Sequence, residues 1–395
     1  MPGLPRPPGG LKPHIRHLVP AGPESSLRPL GFIDDTHVRI GRSVRLYFGG
    51  CNYLGLAWNP VLRRALVSAA RSGPFQTGAS RRTTGEHPAF NTLESAAARF
   101  FRTEAAAYFG SGYLASVGAL DGLRHHASHV LLDDGAHRCL QDGARVCGLP
   151  VIRFASWNAD ALADALRSLP RGSRAIVAVD GTGAIRPGLA PLREYLARLP
   201  RNGWLVVDDA HGAGTVEPQG RGACASMGLS DPRLVQCVTL AKAFAAAGGL
   251  VLGSAETVEI LRANAGAYTG STAQPIALLA AATASVRWVE RHPGRVRRLH
   301  SNLVRFAKFT ASLTRFSFDP RTPVGTWVPK DADEAARLAK ALEREGIHPP
   351  WIRYPGGPEA GFFRFAISAA HTTEDLASLA RVLRFVDSGT PGKTG

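Results

Sequence analysis

The sequence predicts an α/β protein with a large, mostly parallel sheet domain followed by a smaller C-terminal α+β domain. Three observations carry that expectation. Short apolar runs alternate with helical patterns along most of the 395 residues. Those runs are continuously apolar rather than alternating, as strands covered on both faces require. The chain is long enough for about two to three domains, and its 45% hydrophobic and 20% charged residues exclude wholesale disorder and fibrous repeats.

Residues 1–38 are rich in Pro and Gly with little periodicity and read as an N-terminal arm. A large domain is expected over residues 39–285. Its strand-like runs are VRLYFGG (44–50), AAAYFG (105–110), HVLLDD (129–134), AIVAVDG (175–181), WLVVDDA (204–210), LVQCVTLA (234–241) and GGLVLGS (248–254). Helical stretches such as LESAAARFF (93–101) and LADALRSL (162–169) separate them. A charged helical stretch over 286–309 opens the small domain, 286–388. Strand-like FSFD and TWVPK, a helix over 331–346, strand-like FFRFAIS (362–368) and a helix over 373–386 complete it. Residues 389–395 read as a frayed tail.

Charge is the unusual figure: 47 Lys+Arg against 31 Asp+Glu gives +16, and only six of the basic residues are lysines. Such a surplus attracts nucleic acid, membrane surfaces or anionic metabolites and says nothing about fold. Its densest run, Arg287, Arg291, Arg295, Arg297, Arg298 and Arg305, has only Trp288 and Phe306 as aromatic company. It reads as a solvated helix face, so no nucleic-acid partner is expected. Five cysteines without a CxxC pair predict a reducing compartment. The N-terminus lacks the apolar core of a secretory signal, and the longest apolar stretches, 243–255 and 275–286, are shorter than a membrane span. A cytoplasmic protein without membrane insertion is the expectation.

Candidate chemistry gathers where apolar strands end, the place at which open α/β sheets hold ligands. After AAAYF, Gly110, Gly112 and Ala115 fit a GxGxxG/A fingerprint, and Asp133 ends the next strand-like run. Free amides at a helix start hold phosphate, and a later carboxylate can hold ribose, so dinucleotide binding is one reading and a structural glycine turn another. After WLVV come Asp208, Asp209 and His211, either a strand-end polar turn or ligands of a metal completed from elsewhere. Lys242 is the only lysine between Lys12 and Lys308 and sits among Ala, Leu and Phe. Poor solvation lowers a lysine pKa and frees the amine for a Schiff base; a snorkelling surface lysine is the alternative. Taken together, an anion seat, a strand-end carboxylate and a desolvated lysine are what pyridoxal phosphate (PLP) requires, and no metal is expected.

NYLGL (52–56), GASR (78–81), SGYLA (111–115), DDAHGAGTVEPQGRG (208–222), TLAKAF (239–244), GGLVLGS (248–254), STAQP (271–275) and RFAISAAH (364–371) occur in this order. With them the chain resembles the α-oxoamine synthases of the PLP-dependent aminotransferase superfamily over about residues 39–388. The resemblance implies fold type I and a homodimer with sites at the subunit interface. It implies that Lys242 holds the cofactor aldehyde, Asp208 pairs with the pyridine nitrogen, His211 bonds the phenolic oxygen and His137 stacks on the ring. Gly112 and Tyr113 amides and the Thr239 hydroxyl would hold the phosphate, joined by Thr272 of the partner subunit. Arg364 would clamp the amino-acid carboxylate as a bidentate fork. The implied reaction condenses a small amino acid with an acyl thioester, on coenzyme A or an acyl carrier protein, with decarboxylation to an α-aminoketone. An aminotransferase and a catalytically divergent PLP-binding protein are the alternatives.

Three positions depart from the family pattern. Cys51 stands where the family has an asparagine beside the substrate, Phe90 where it has a histidine, and Ala184 where a serine supports the cofactor oxygen. Loss of one neutral hydrogen bond costs about 0.5–1.5 kcal/mol, so the cofactor seat is expected to survive and the substrate pocket to diverge.

Overall fold

A computed structural model describes residues 29–183, 185–353 and 357–388. Its centre is a seven-stranded sheet in the order 105–109, 249–253, 234–239, 204–208, 175–180, 129–133, 151–154. All neighbours in it pair in parallel except Gly249–Gly253, which is antiparallel to both of its own. Val130, Leu131, Val177, Val206 and Val207 are fully buried, because helices cover both faces and leave no strand side for polar residues. The helices Gly112–Leu123 and Arg138–Cys147 lie over one core cluster, and Ala159–Arg167 and Leu192–Arg198 over another.

The C-terminal part contains an antiparallel sheet in the order 316–318, 324–327, 362–366, 351–352. The helices Pro293–Thr310, Ala332–Arg344 and Thr373–Asp387 accompany it. Thr372 starts the last helix with a reciprocal capping box to Asp375, which satisfies two otherwise orphaned amides.

Two of the expected boundaries fall inside elements. The arm was expected to run to residue 38, but Gly31–Phe32 and His37–Ile40 are already strands, paired antiparallel around a turn in which Asp34 Oδ1 accepts Thr36 N at 2.7 Å and His37 N at 2.8 Å. They form a four-stranded sheet with Ser43–Tyr47 and, in parallel, Ile347–His348 from the C-terminal part. Gly31–Phe32 and His37–Ile40 are two and four residues long, too short for an alternation to show, and Ile347–His348 lies about 300 residues from its partner Ser43–Tyr47. The boundary expected at 285/286 lies within the helix Ile276–Arg291, and the stretch 286–309 belongs to two helices separated at His292. Pro293 opens the second as its first residue, a position that tolerates proline's missing N–H. Residues 1–28 and 389–395, the rest of the arm and the tail, lie outside the described residues, as does Ala184.

The segment after Tyr47 is held against the C-terminal sheet: Ala366 N donates to Phe48 O and Ala369 N to Tyr53 O, each at 2.7 Å, and Ser368 Oγ donates to Asn52 O at 2.7 Å. Arg295 secures the same segment from the other side, donating to Leu54 O at 2.5 Å and Gly55 O at 3.1 Å. These bonds bring Cys51 and Tyr53 beside Arg364.

Candidate active site

The C-terminal ends of the central strands open into a cavity of about 210 Å³. Cys51, Gly112, Tyr113, His137, Asp208, His211, Thr239, Lys242 and Arg364 all line it. Of the residues to which the resemblance gives a cofactor or substrate role, Thr272 lies elsewhere, exposed and bridged to Ser80.

Lys242 sits in the loop after Leu234–Thr239, whose tight course includes Ala245 at φ +48°. Its Nζ is 2.8 Å from His211 Nε2, and His211 Nδ1 is 2.7 Å from the Tyr53 hydroxyl. Burial lowers the Lys242 pKa, with Arg364 adding to it, against the opposing pull of Cys51 and Asp208. Burial, then the Lys242 and Arg364 charges, hold His211 well below its ordinary value, so its ring is neutral and offers one donor and one acceptor.

Asp208 ends its strand with both oxygens engaged. Oδ2 accepts Cys139 Sγ at 2.9 Å and Ser116 Oγ at 3.3 Å, and Oδ1 accepts Ala210 N at 3.0 Å. Asp209 points away, to Gln236 Nε2 at 2.7 Å and Ala223 N at 2.8 Å. The two neighbouring carboxylates therefore do not converge with His211, which removes the metal reading of that triplet. His137, Cys139 and Asp208 bring three potential ligand atoms within 4.8 Å of one another. Burial and Asp208 push the Cys139 thiol far upward, and it donates to Asp208 Oδ2.

Ser111 caps the helix Gly112–Leu123, accepting Leu114 N at 3.1 Å. First-turn amides of a helix have no intrahelical acceptor, and those of Gly112 and Tyr113 face the cavity end that Thr239 also lines. Gly112 is required by space: a Cβ there would meet Thr239 Cβ at 2.4 Å, and one on Gly249 would meet Gly112 Cα at 2.5 Å. The dinucleotide reading fails at its carboxylate. Asp133 is buried, spends its oxygens on Gly135 N (2.8 Å) and Trp157 N (3.2 Å), and does not line the cavity.

Arg364 projects from Phe362–Ala366, with Nη2 3.2 Å from Cys51 Sγ and 3.4 Å from Tyr53 Oη. The exposed position that strand alternation allows is not observed; the guanidinium is partly buried in the cavity. Burial raises the Cys51 thiol, but Arg364, Lys242 and the hydrogen bonds with Tyr53 and Arg364 outweigh it, and the net shift is downward. Phe90 is buried outside the cavity under the Arg81 guanidinium, 4.1 Å from its ring centroid, and Arg81 is anchored to Glu94 at 2.5 Å. Its substitution for histidine thus alters a packing site in this subunit.

Four cavity or support residues carry no assigned role in the sequence reading: Tyr53, Ser116, Cys139 and Asp180. Asp180 pairs in register with Asp208 on the adjacent strand and accepts His137 N at 3.0 Å. Burial and the Asp208 carboxylate raise it well above the carboxylate range. Its signal was available, since AIVAVD ends an apolar run on a carboxylate as WLVVD does.

A desolvated amine, a strand-end carboxylate and helix-start amides fit PLP's aldehyde, pyridine nitrogen and phosphate respectively. Fold and cavity define the class: a fold type I, PLP-dependent enzyme. The model of the aminotransferase class I and II family matches residues 47–383. An 8-amino-7-oxononanoate synthase of Aromatoleum aromaticum is 35% identical over 89% of this chain and 92% of its own. One of Thioalkalivibrio sulfidiphilus is 35% identical over 89% and 90%. Among solved structures, serine palmitoyltransferase from S. paucimobilis superposes with a TM-score of 0.83 at 24% identity, covering 91% of this chain and 93% of that one. The 8-amino-7-oxononanoate synthase of Francisella tularensis gives 0.74 at 22% identity, covering 87% and 98%. These two likenesses bear on the fold. The chain belongs to the α-oxoamine synthase family.

Proposed function

We propose that the protein condenses a small amino acid with an acyl thioester, on coenzyme A or an acyl carrier protein, releasing the thiol and CO2 and leaving an α-aminoketone. The observation that carries this reading is Lys242, the one lysine of the cavity, within hydrogen-bond distance of His211 and in the same cavity as Asp208 and Arg364. When bound, PLP supplies an aldehyde for the amino group and a ring that draws electron density from the amino-acid Cα.

The chain's own groups do the rest. Asp208 would keep a proton on the pyridine nitrogen, His211 would bond the phenolic oxygen, His137 would stack on the ring, and the Gly112 and Tyr113 amides with Thr239 Oγ1 would hold the phosphate. Arg364 orients the substrate carboxylate, with Cys51 beside it. With the cofactor bound, Lys242 Nζ would hold its aldehyde, and the same amine is placed to take the Cα proton of the amino acid. Its lowered pKa leaves more of the amine neutral for both tasks. The new bond joins Cα to the acyl carbonyl carbon as the C–S bond breaks and the thiolate departs; the bond from Cα to its carboxylate then breaks, releasing CO2, and Cα takes back a proton. In this reading the enzyme is a cytoplasmic homodimer, and Thr272 of the partner subunit completes the phosphate seat. Thr272's exposure outside its own chain's cavity is consistent with that, and among the described residues no helix is long and apolar enough to cross a membrane.

Free-thiol release from acyl-coenzyme A, titrated against glycine, alanine and serine, tests the proposal. Release that depends on the amino acid and vanishes in Lys242→Ala supports it; release indifferent to both contradicts it.

A further inference from the structure

A second cavity, of about 470 Å³, adjoins the cofactor cavity and shares Cys51 and Lys242 with it. It lies within the size range of small-molecule sites. Ala245, Ala246, Ala366 and Ile367 furnish apolar wall, and at the mouth stand Phe32 and Trp58, exposed at 57% and 44%. Lys242 is the charged group at the inner end. At the outer end the charged groups are Asp34 and Asp35.

We propose that this cavity takes the acyl chain, that the chain ends in hydrocarbon rather than in a carboxylate, and that Asp34 and Asp35 set this preference. The inference rests on the reading of the protein as an acyl-thioester condensing enzyme. Both carboxylates are held in place by the turn: Asp34 by the Thr36 and His37 amides, and Asp35 by Asn52 Nδ2 at 2.8 Å. His37 Nδ1 lies 3.2 Å from Asp34. Among the described lining residues no arginine approaches this end. Arg295, whose field reaches Asp35, is turned onto the carbonyls of Leu54 and Gly55 and does not line the cavity. His371 supplies no cation near neutral pH, since burial brings it down to about 4 while its Nδ1 accepts Ser368 N.

A chain entering from Lys242 thus lies against apolar wall in a cavity whose other charged lining groups, among the described residues, are two carboxylates. A hydrocarbon end gains by leaving water along the whole path. A terminal carboxylate loses hydration against alanine and isoleucine and then meets charge of its own sign.

The test compares heptanoyl-coenzyme A with its equal-length counterpart 6-carboxyhexanoyl-coenzyme A on the full-length holoenzyme, by calorimetric Kd and by kcat/KM. Heptanoyl is expected to be favoured at least about tenfold in both. Asp35→Asn, alone and with Asp34→Asn, keeps an acceptor oxygen for each turn bond and removes the charge; the preference should shrink to about threefold or less. Equal or better use of the carboxylated thioester, or an undiminished preference in a folded double variant, overturns the inference. If the variants do not fold, the comparison on the unaltered enzyme decides alone. Tighter binding of heptanoyl-coenzyme A without any aminoketone upholds the tail preference and sinks the condensation reading instead.

Discussion

His211 stands between Lys242 and Tyr53, its Nε2 2.8 Å from the lysine amine and its Nδ1 2.7 Å from the phenolic oxygen. With the ring neutral, one nitrogen donates and the other accepts, so Tyr53 fixes which face of the imidazole meets the amine. His211→Ala is expected to lower kcat by at least about 10²-fold, the lower end of what a proton-handling side chain contributes. Tyr53→Phe, losing the bond to His211 and the 3.4 Å contact from Arg364, should cost about two- to tenfold. Steady-state kinetics on the two variants check the order; equal effects would contradict it.

Asp209 predicts a pH dependence of stability. Burial raises its carboxyl to about 7 from 3.8, with Asp208 adding to the rise and Gln236 and Ala223 opposing it. Between about pH 4 and 7 the folded chain holds a proton that the unfolded chain has lost, so this group's stability contribution is full at the acid end and falls as pH rises. The loss across the window is roughly 4 kcal/mol. Asp209→Asn imitates the protonated form, so urea unfolding at pH 5 and pH 8 should show a smaller pH difference in the variant.

Gly112→Ala should weaken cofactor binding more than it destabilises the chain. The new methyl meets Thr239 Cβ and Oγ1 at 2.4 and 2.7 Å, which forces the helix start and the hydroxyl apart at a cost of about 1–3 kcal/mol. PLP titration of the apoprotein, beside a thermal midpoint, separates the two effects.

Arg295→Ala should destabilise the fold by about 1.5–3 kcal/mol, the range for hydrogen bonds to charged donors. It removes both bonds to Leu54 and Gly55 and loosens the segment that carries Cys51 and Tyr53, so KM for the amino acid should also rise. Denaturant titration and amino-acid KM are the measurements.

Much of this site is readable from strand ends. Asp208 and Lys242 close or follow apolar runs, and the parallel sheet brings those ends together whatever the intervening helices do. Arg295 shows where such reading stops: within a dense arginine run it reads as solvated, yet it reaches carbonyls 240 and 241 residues away. Tyr53 likewise meets His211 across 158 residues. Ile347–His348 is a strand through its parallel pairing with Ser43–Tyr47, about 300 residues away. Contacts of this kind arise from tertiary closure and leave no local period.

The most direct test of the account is mass spectrometry of products from a grid of amino acids and acyl thioesters, run with the unaltered enzyme and with Lys242→Ala. An α-aminoketone, free thiol and CO2 in matching amounts, absent in the variant, is the predicted result. A keto acid with pyridoxamine phosphate, or undiminished product from Lys242→Ala, would contradict it.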